Sequence, residues 1–136
     1  GRRVSVCKLA NRVRLTSPED TASLFMEEMR YAKNEMFKIL LVNVRGEMTG
    51  KETVSSGSIS SSIVDAREVF RPAVRRGAAS IMLIHNHPSG DPKPSPQDIA
   101  VTKELVGAGE ILGIKVIDHL VIGDGSFVSF RRDGLM

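Results

Sequence analysis

Ser80-Ile81-Met82-Leu83-Ile84-His85-Asn86-His87-Pro88-Ser89-Gly90-Asp91-Pro92-Lys93-Pro94-Ser95-Pro96-Gln97-Asp98 holds, in order, a strand, its exit, a sharp loop and the head of a helix. The aliphatic run 80–84 is short and rich in β-branched and long apolar side chains, the composition of a buried strand. Side chains alternate across a strand, so His85 and His87 project to one side and Asn86 to the other. Pro88 disfavours further pairing, and Ser89-Gly90-Asp91-Pro92 is dense in turn formers. Ser95-Pro96-Gln97-Asp98 then restarts the chain as a helix, with serine at the N-cap, proline at the first helical position and an acid in the first turn. Such a helix brings Asp98 back toward the exit of the strand. Two neutral imidazoles and a carboxylate, with a fourth position left for water, form the ligand set of a catalytic zinc site rather than a closed structural one.

The same S-P-x-D pattern recurs at Ser17-Pro18-Glu19-Asp20, where no histidine is near in sequence. A serine and an aspartate at that spacing therefore signal a helix start and nothing more. The coincidence of the second cap with a same-face histidine pair is what points to metal chemistry.

With 136 residues, 41% of them hydrophobic, the chain suffices for one core and is too short for two ordinary domains. Its apolar runs fall far below the roughly 20 residues that span a bilayer, and no charged-then-apolar leader opens it. A membrane-spanning or visibly secreted protein is not expected. A single cysteine, Cys7, excludes an internal disulfide and a cysteine-rich zinc knuckle, and fits a packing role in a reducing cytoplasm. A net charge of +3 is too mild to announce a nucleic-acid binder, and an aromatic content of 4% leaves few platforms for stacked bases.

Working outward, residues 1–16 read as a basic arm or short strand, with Arg2, Arg3, Lys8, Arg12 and Arg14 among loosely alternating apolar residues. Ser17 to Lys33 reads as a capped helix with Ala22, Phe25, Met26 and Met29 at helical spacing. Glu35 to Val44 reads as a central strand that turns through Asn43–Gly46 into an antiparallel neighbour over Glu47 to Val54. Ser55 to Ser62 reads as an irregular connection or an edge. Asp65 opens a helix to about Arg76, in which Pro72 predicts a kink or break. Arg67, Arg71 and Arg75 form one basic stripe on it, open to a phosphate backbone, an acidic partner or simply solvent. Ser95 to Leu112 reads as a second long helix burying Ile99, Val101, Leu105, Val106, Ile111 and Leu112. Ile114 to Ile122 and Phe127 to Phe130 complete the sheet through a Gly123-Asp124-Gly125 turn. The elements alternate without a strict βαβ rhythm, so the fold class expected is α/β, a mixed sheet covered by helices.

His85-x-His87, seven residues, Ser95, two residues and Asp98 resembles the signature of JAMM, or MPN-plus, metalloprotease domains. Arg67-Glu68-Val69-Phe70-Arg71-Pro72-Ala73, His85-Asn86-His87-Pro88-Ser89-Gly90-Asp91-Pro92, Leu112-Gly113-Ile114 and Asp118-His119-Leu120-Val121-Ile122-Gly123 are more closely similar to the bacterial RadC family. The likeness runs from about residue 17 to residue 131. It implies a cytidine-deaminase-like α/β sandwich over 17–136, the C-terminal domain of a longer protein. It also implies Zn2+ held by His85, His87 and Asp98. Ser95 is implied as donor to an oxyanion. A glutamate opening the first core strand is implied as general base, and the matching position is Glu35; composition alone leaves Glu35, Glu47 and Glu52 open.

The expected activity is hydrolysis of peptide or isopeptide bonds by a metal-activated water, with an undefined peptide or protein substrate. The repair-related name of the family sets beside it a DNA-associated module, to which only the arginine stripe and the basic arm lend support. A metal-free scaffold ranks last, since every ligand type is present. His119 is expected as a core histidine with a satisfied hydrogen bond, or as a partner to a ligand. Asn86 is expected to fix a loop and Asp91 to shape a turn. The oligomeric state is not legible.

Overall fold

The computed structural model describes residues 14, 15, 17–56 and 64–136. Cys7, most of the expected arm and the serine-rich connection beyond Ser56 lie outside the described residues. Of the arm, the Arg14 backbone forms an isolated antiparallel β-bridge with that of Glu47, and the Leu15 N–H donates to the Gly46 carbonyl at 2.9 Å.

The elements in chain order are α1 (Pro18–Met29), β1 (Met36–Val42), β2 (Met48–Ser56), α2 (Ala66–Arg76), β3 (Ser80–Asn86), α3 (Pro96–Leu112), β4 (Lys115–Ile122) and β5 (Phe127–Ser129). The strands form one sheet in the order β2-β1-β3-β4-β5. Among the described residues only β3 and β4 run parallel, joined by α3 as a crossover; the other neighbours are antiparallel. This is the expected mixed sheet covered by helices.

Strand alternation sorts the core onto two faces. Phe37, Ile39, Leu41, Ile81 and Leu83 point to one face, where Val69, Phe70 and Ala73 of α2 and Val101 and Leu105 of α3 cover them. Leu40, Val42, Met82, Ile84, Leu120 and Ile122 point to the other, beneath Ala22, Phe25 and Met29 of α1. β1 and β3 are thus covered on both sides, which is why both read as nearly unbroken apolar runs. Lys38, on the α1 face, is buried and answers Glu28. Among the described residues no helix is long and apolar enough to cross a membrane.

Three elements depart from expectation. α1 stops at Met29, not Lys33, because the chain must drop into β1: the Ala32 N–H bonds the Met29 carbonyl, and Arg30 reaches Asp124 at 2.7 Å. α2 runs continuously through Pro72. The one bond proline forfeits points to the Glu68 carbonyl near the exposed start of the helix, where water can replace it.

The third departure is the buried stripe of α3, which is Asp98, Val101, Thr102, Leu105 and Gly109. Ile111 is 88% exposed and Leu112 50% exposed, while Ile99 also faces outward. A side chain on Gly109 would put its Cβ 2.4 Å from the Ile114 carbonyl oxygen. Glycine there lets α3 lie close on the sheet.

β4 carries a one-residue slip against β3. Ile81 pairs with Val116, but Leu83 pairs with His119. Strict alternation from Val116 would turn His119 to the α1 face; the extra residue returns it to the α3 face. Asp118, buried at the slip, holds it in place. Its carboxylate accepts the backbone N–H groups of His119 (2.7 Å) and Arg131 (3.0 Å) and the Ser129 hydroxyl (2.6 Å).

Candidate metal centre

β3 ends and α3 begins at the same edge of the sheet, the crevice outside the carboxyl ends of parallel strands where α/β domains place ligands. His85 is the last α3-facing position of β3, and His87 follows the strand. The Ser95 hydroxyl accepts the Asp98 N–H at 3.1 Å, while the Asp98 carboxylate accepts the Ser95 N–H at 2.7 Å. This reciprocal capping box fixes both the start of α3 and the carboxylate rotamer.

His85 Nε2 and His87 Nε2 lie 3.2 Å apart. Asp98 Oδ2 lies 3.0 Å from His87 Nε2, and Asp98 Oδ1 lies 3.2 Å from His85 Nε2. His85 is fully buried, and Asp98 is 3% exposed. The three residues predicted as ligands are therefore brought together, and each offers one ligand atom within 4.8 Å of the others.

The donor chemistry fits a cation. His87 Nδ1 stands 2.9 Å from the Asp91 carbonyl, which can only accept, so in the neutral ring Nδ1 carries the proton and Nε2 presents its lone pair. Ligand atoms about 2.0–2.1 Å from a tetrahedral metal sit roughly 3.3–3.4 Å from one another. The pocket is preformed to within a few tenths of an ångström of that separation. The N-terminal end of α3 adds a favourable field for the carboxylate.

Protonation follows the same geometry. Burial pushes the Asp98 carboxyl upward, but the imidazoles of His85 and His87 beside it and the Ser95 N–H outweigh it and hold the group well below the usual carboxylate range. The Asp98 hydrogen bond raises His87, against burial and aided by the Asp91 carbonyl and the charge of Glu35. Burial drives His119 well below the ordinary imidazole value.

Glu35 and Ser95 line one cavity of about 320 Å³ with His87, Asp98, Pro88, Ser89 and Gln97. Asn86 turns away from the candidate ligands, as alternation requires, and clamps the segment that carries Glu35. Its Oδ1 accepts the Met36 N–H at 2.7 Å, and its Nδ2 donates to the Asn34 carbonyl at 3.1 Å. Asp91 does shape the turn, accepting the Lys93 N–H at 3.0 Å, but its carbonyl also orients His87. His119 is buried and partnered by the candidate ligand His85: its Nε2 lies 2.7 Å from His85 Nδ1. Thr102, which sequence reading did not single out, meets His119 Nδ1 at 2.6 Å. The basic stripe is partly neutralised, with Arg67 on Asp65 and Arg71 on Glu68.

A five-stranded mixed sheet, helices on both faces and a His-His-Asp candidate metal centre at a strand–helix junction define an α/β domain of the JAB/MPN class. A family model described as "RadC-like JAB domain" matches residues 15–135, and the chain belongs to that family. It is 52% identical over 98% of its length to a UPF0758 protein of Caldanaerobacter subterraneus subsp. tengcongensis. It is 48% identical over its full length to one of Alkaliphilus metalliredigens, and 51% identical over 98% of its length to one of Bacillus cereus. The chain spans 58%, 59% and 60% of the lengths of these three relatives, respectively.

Proposed function

We propose that this domain is a zinc-dependent hydrolase of amide bonds, acting on a peptide or isopeptide linkage in a protein or peptide substrate. The observation that carries the reading is the convergence of two imidazole nitrogens and a carboxylate on one point, in a cavity that also holds Glu35 and Ser95. A zinc ion bound by His85, His87 and Asp98 would lower the pKa of its water toward about 7 and polarise a carbonyl.

Glu35 supplies the base. Its carboxylate takes the proton of the attacking water and returns it to the leaving nitrogen, a transfer typically worth about 10²–10⁴ in rate. Asn86 aims it by holding the peptide groups on either side.

Ser95 can cap the helix and serve the reaction together. The cap uses a lone pair of Oγ as acceptor for the Asp98 N–H, so the hydroxyl proton stays available to the oxyanion of a tetrahedral intermediate. A donor so placed contributes about 3–4 kcal/mol to the transition state.

The test is a Glu35→Gln variant loaded with zinc and presented with a peptide library. Full metal content with cleavage lost supports the proposal. Unchanged cleavage in the variant, or no cleavage by zinc-loaded wild type, contradicts it.

A further inference from the structure

Behind His85 runs a buried row of hydrogen bonds that the proposed reaction does not use. It passes from His85 Nδ1 to His119 Nε2 (2.7 Å), from His119 Nδ1 to Thr102 Oγ1 (2.6 Å), and from Thr102 Oγ1 to the Asp98 carbonyl (2.7 Å). His85, His119 and Thr102 are all fully buried, so water does not complete these contacts.

Each contact admits one direction. The carbonyl of Asp98 can only accept, so the Thr102 hydroxyl donates to it. Its one proton is then committed, and Thr102 Oγ1 must accept from His119 Nδ1–H. A neutral imidazole has a single N–H, so His119 Nε2 presents a lone pair and His85 Nδ1 must donate to it. What remains on His85 is a bare Nε2, aimed at His87 and Asp98. Reversing the row would leave Thr102 Oγ1 facing the Asp98 carbonyl with no proton between them, and would set a proton on His85 Nε2.

We propose that Thr102 and His119 are positioning residues that lock His85 in its Nδ1–H tautomer and so keep Nε2 available as a ligand atom. The inference rests on the metal-centre reading above. The row begins at one ligand, His85 of β3, and ends on the backbone of another, Asp98 of α3. It therefore fixes the spacing of strand and helix as well as the proton. The slip in β4 has a use here, since it turns His119 to the face where His85 and Thr102 lie. His87 is set in the same tautomer by the Asp91 carbonyl.

The experiment has two readouts on the protein treated with chelator and then titrated with zinc. Long-range ¹H–¹⁵N correlations on the metal-free wild type report the tautomers directly, and Nδ1–H is expected for both His85 and His119. Competition titration then compares Thr102→Val, which keeps the shape but loses both hydrogen bonds, with Thr102→Ser, which keeps them. Valine should weaken zinc binding about 10–100-fold, the usual effect of removing a partner that orients a ligand, and serine should restore it.

A His119 Nε2–H tautomer in the wild type overturns the inference, as does a valine variant that binds zinc as tightly as wild type while Asp98→Asn does not bind. If the valine variant fails to fold, the wild-type tautomers decide alone. Failure of the wild type to bind zinc at all would instead remove the metal-centre reading, and this inference with it.

Discussion

Replacing Asn86 by alanine separates the clamp from the ligands it lies between. The side chain is 1% exposed and serves two backbone groups, the Met36 N–H and the Asn34 carbonyl. Truncation leaves the part-buried Met36 N–H without its acceptor, a loss of about 1–3 kcal/mol. Asn34 is exposed, so water can replace the second bond, and only its net worth of about 0.5–1.5 kcal/mol is lost. Asn86→Ala should therefore cost about 1.5–4.5 kcal/mol in all, read by urea unfolding at equilibrium. Asn86→Asp keeps the acceptor for Met36 but turns a carboxylate oxygen toward the Asn34 carbonyl, so it should also destabilise. Turnover should fall in both while zinc affinity stays near wild type, because the clamp holds Glu35 and no ligand. A stability change within about 0.5 kcal/mol, the range of an ordinary surface substitution, would refute the reasoning.

Gly109→Ala should destabilise by about 1–3 kcal/mol, the usual cost of overpacking, because the new methyl meets backbone rather than a flexible side-chain tip; a thermal midpoint equal to wild type would contradict this. Ser95→Ala should lose about 1 kcal/mol of stability with the cap. It should also lose about a hundredfold or more of cleavage with zinc retained; a variant with the stability loss alone would confine Ser95 to capping. Metal binding should weaken with acid: His87 holds its proton above the ordinary value of 6.5, so zinc affinity should begin to fall above that pH, by about tenfold per unit once the proton competes. In chelator the two histidines act in opposite windows. His87, raised, contributes stability that is complete below 6.5 and lost as pH rises through its folded value. His119, lowered, contributes stability present above 6.5 and lost as pH falls toward its folded value. Stability from this pair should peak near 6.5, and His87→Ala should abolish the decline on the alkaline side; an unchanged decline would contradict the assignment.

The strand, loop and capped helix of residues 80–98 were legible because each part is written in local chemistry: a short apolar run, a proline-rich exit, and a serine three residues ahead of an acid. The three candidate ligands lie within that stretch, so no distant contact was needed to single them out. Glu35 was singled out only through resemblance; the feature that distinguishes its surroundings, the clamp of Asn86 on the neighbouring Met36, joins residues fifty apart in the chain. Thr102 was not legible at all, and neither was the face that His119 takes. A mid-helix threonine ordinarily faces solvent or its own backbone, and a single-residue slip in a parallel pair reverses the face of every later side chain without any mark in the local pattern. The buried stripe of α3 was misjudged for a related reason. Ile111 and Leu112 are apolar but exposed, whereas Asp98 and Thr102 are polar and buried because they answer other buried groups.

Metal content is the most direct test of the central claim that His85, His87 and Asp98 form a cation site. Protein purified without chelator, or reconstituted with zinc and dialysed, should carry one zinc per chain by mass spectrometric metal analysis, with X-ray absorption showing two nitrogen ligands from imidazole and at least one oxygen. His87→Ala should carry none. A wild-type protein that retains no metal, or a His87→Ala variant that retains as much as wild type, would contradict the account.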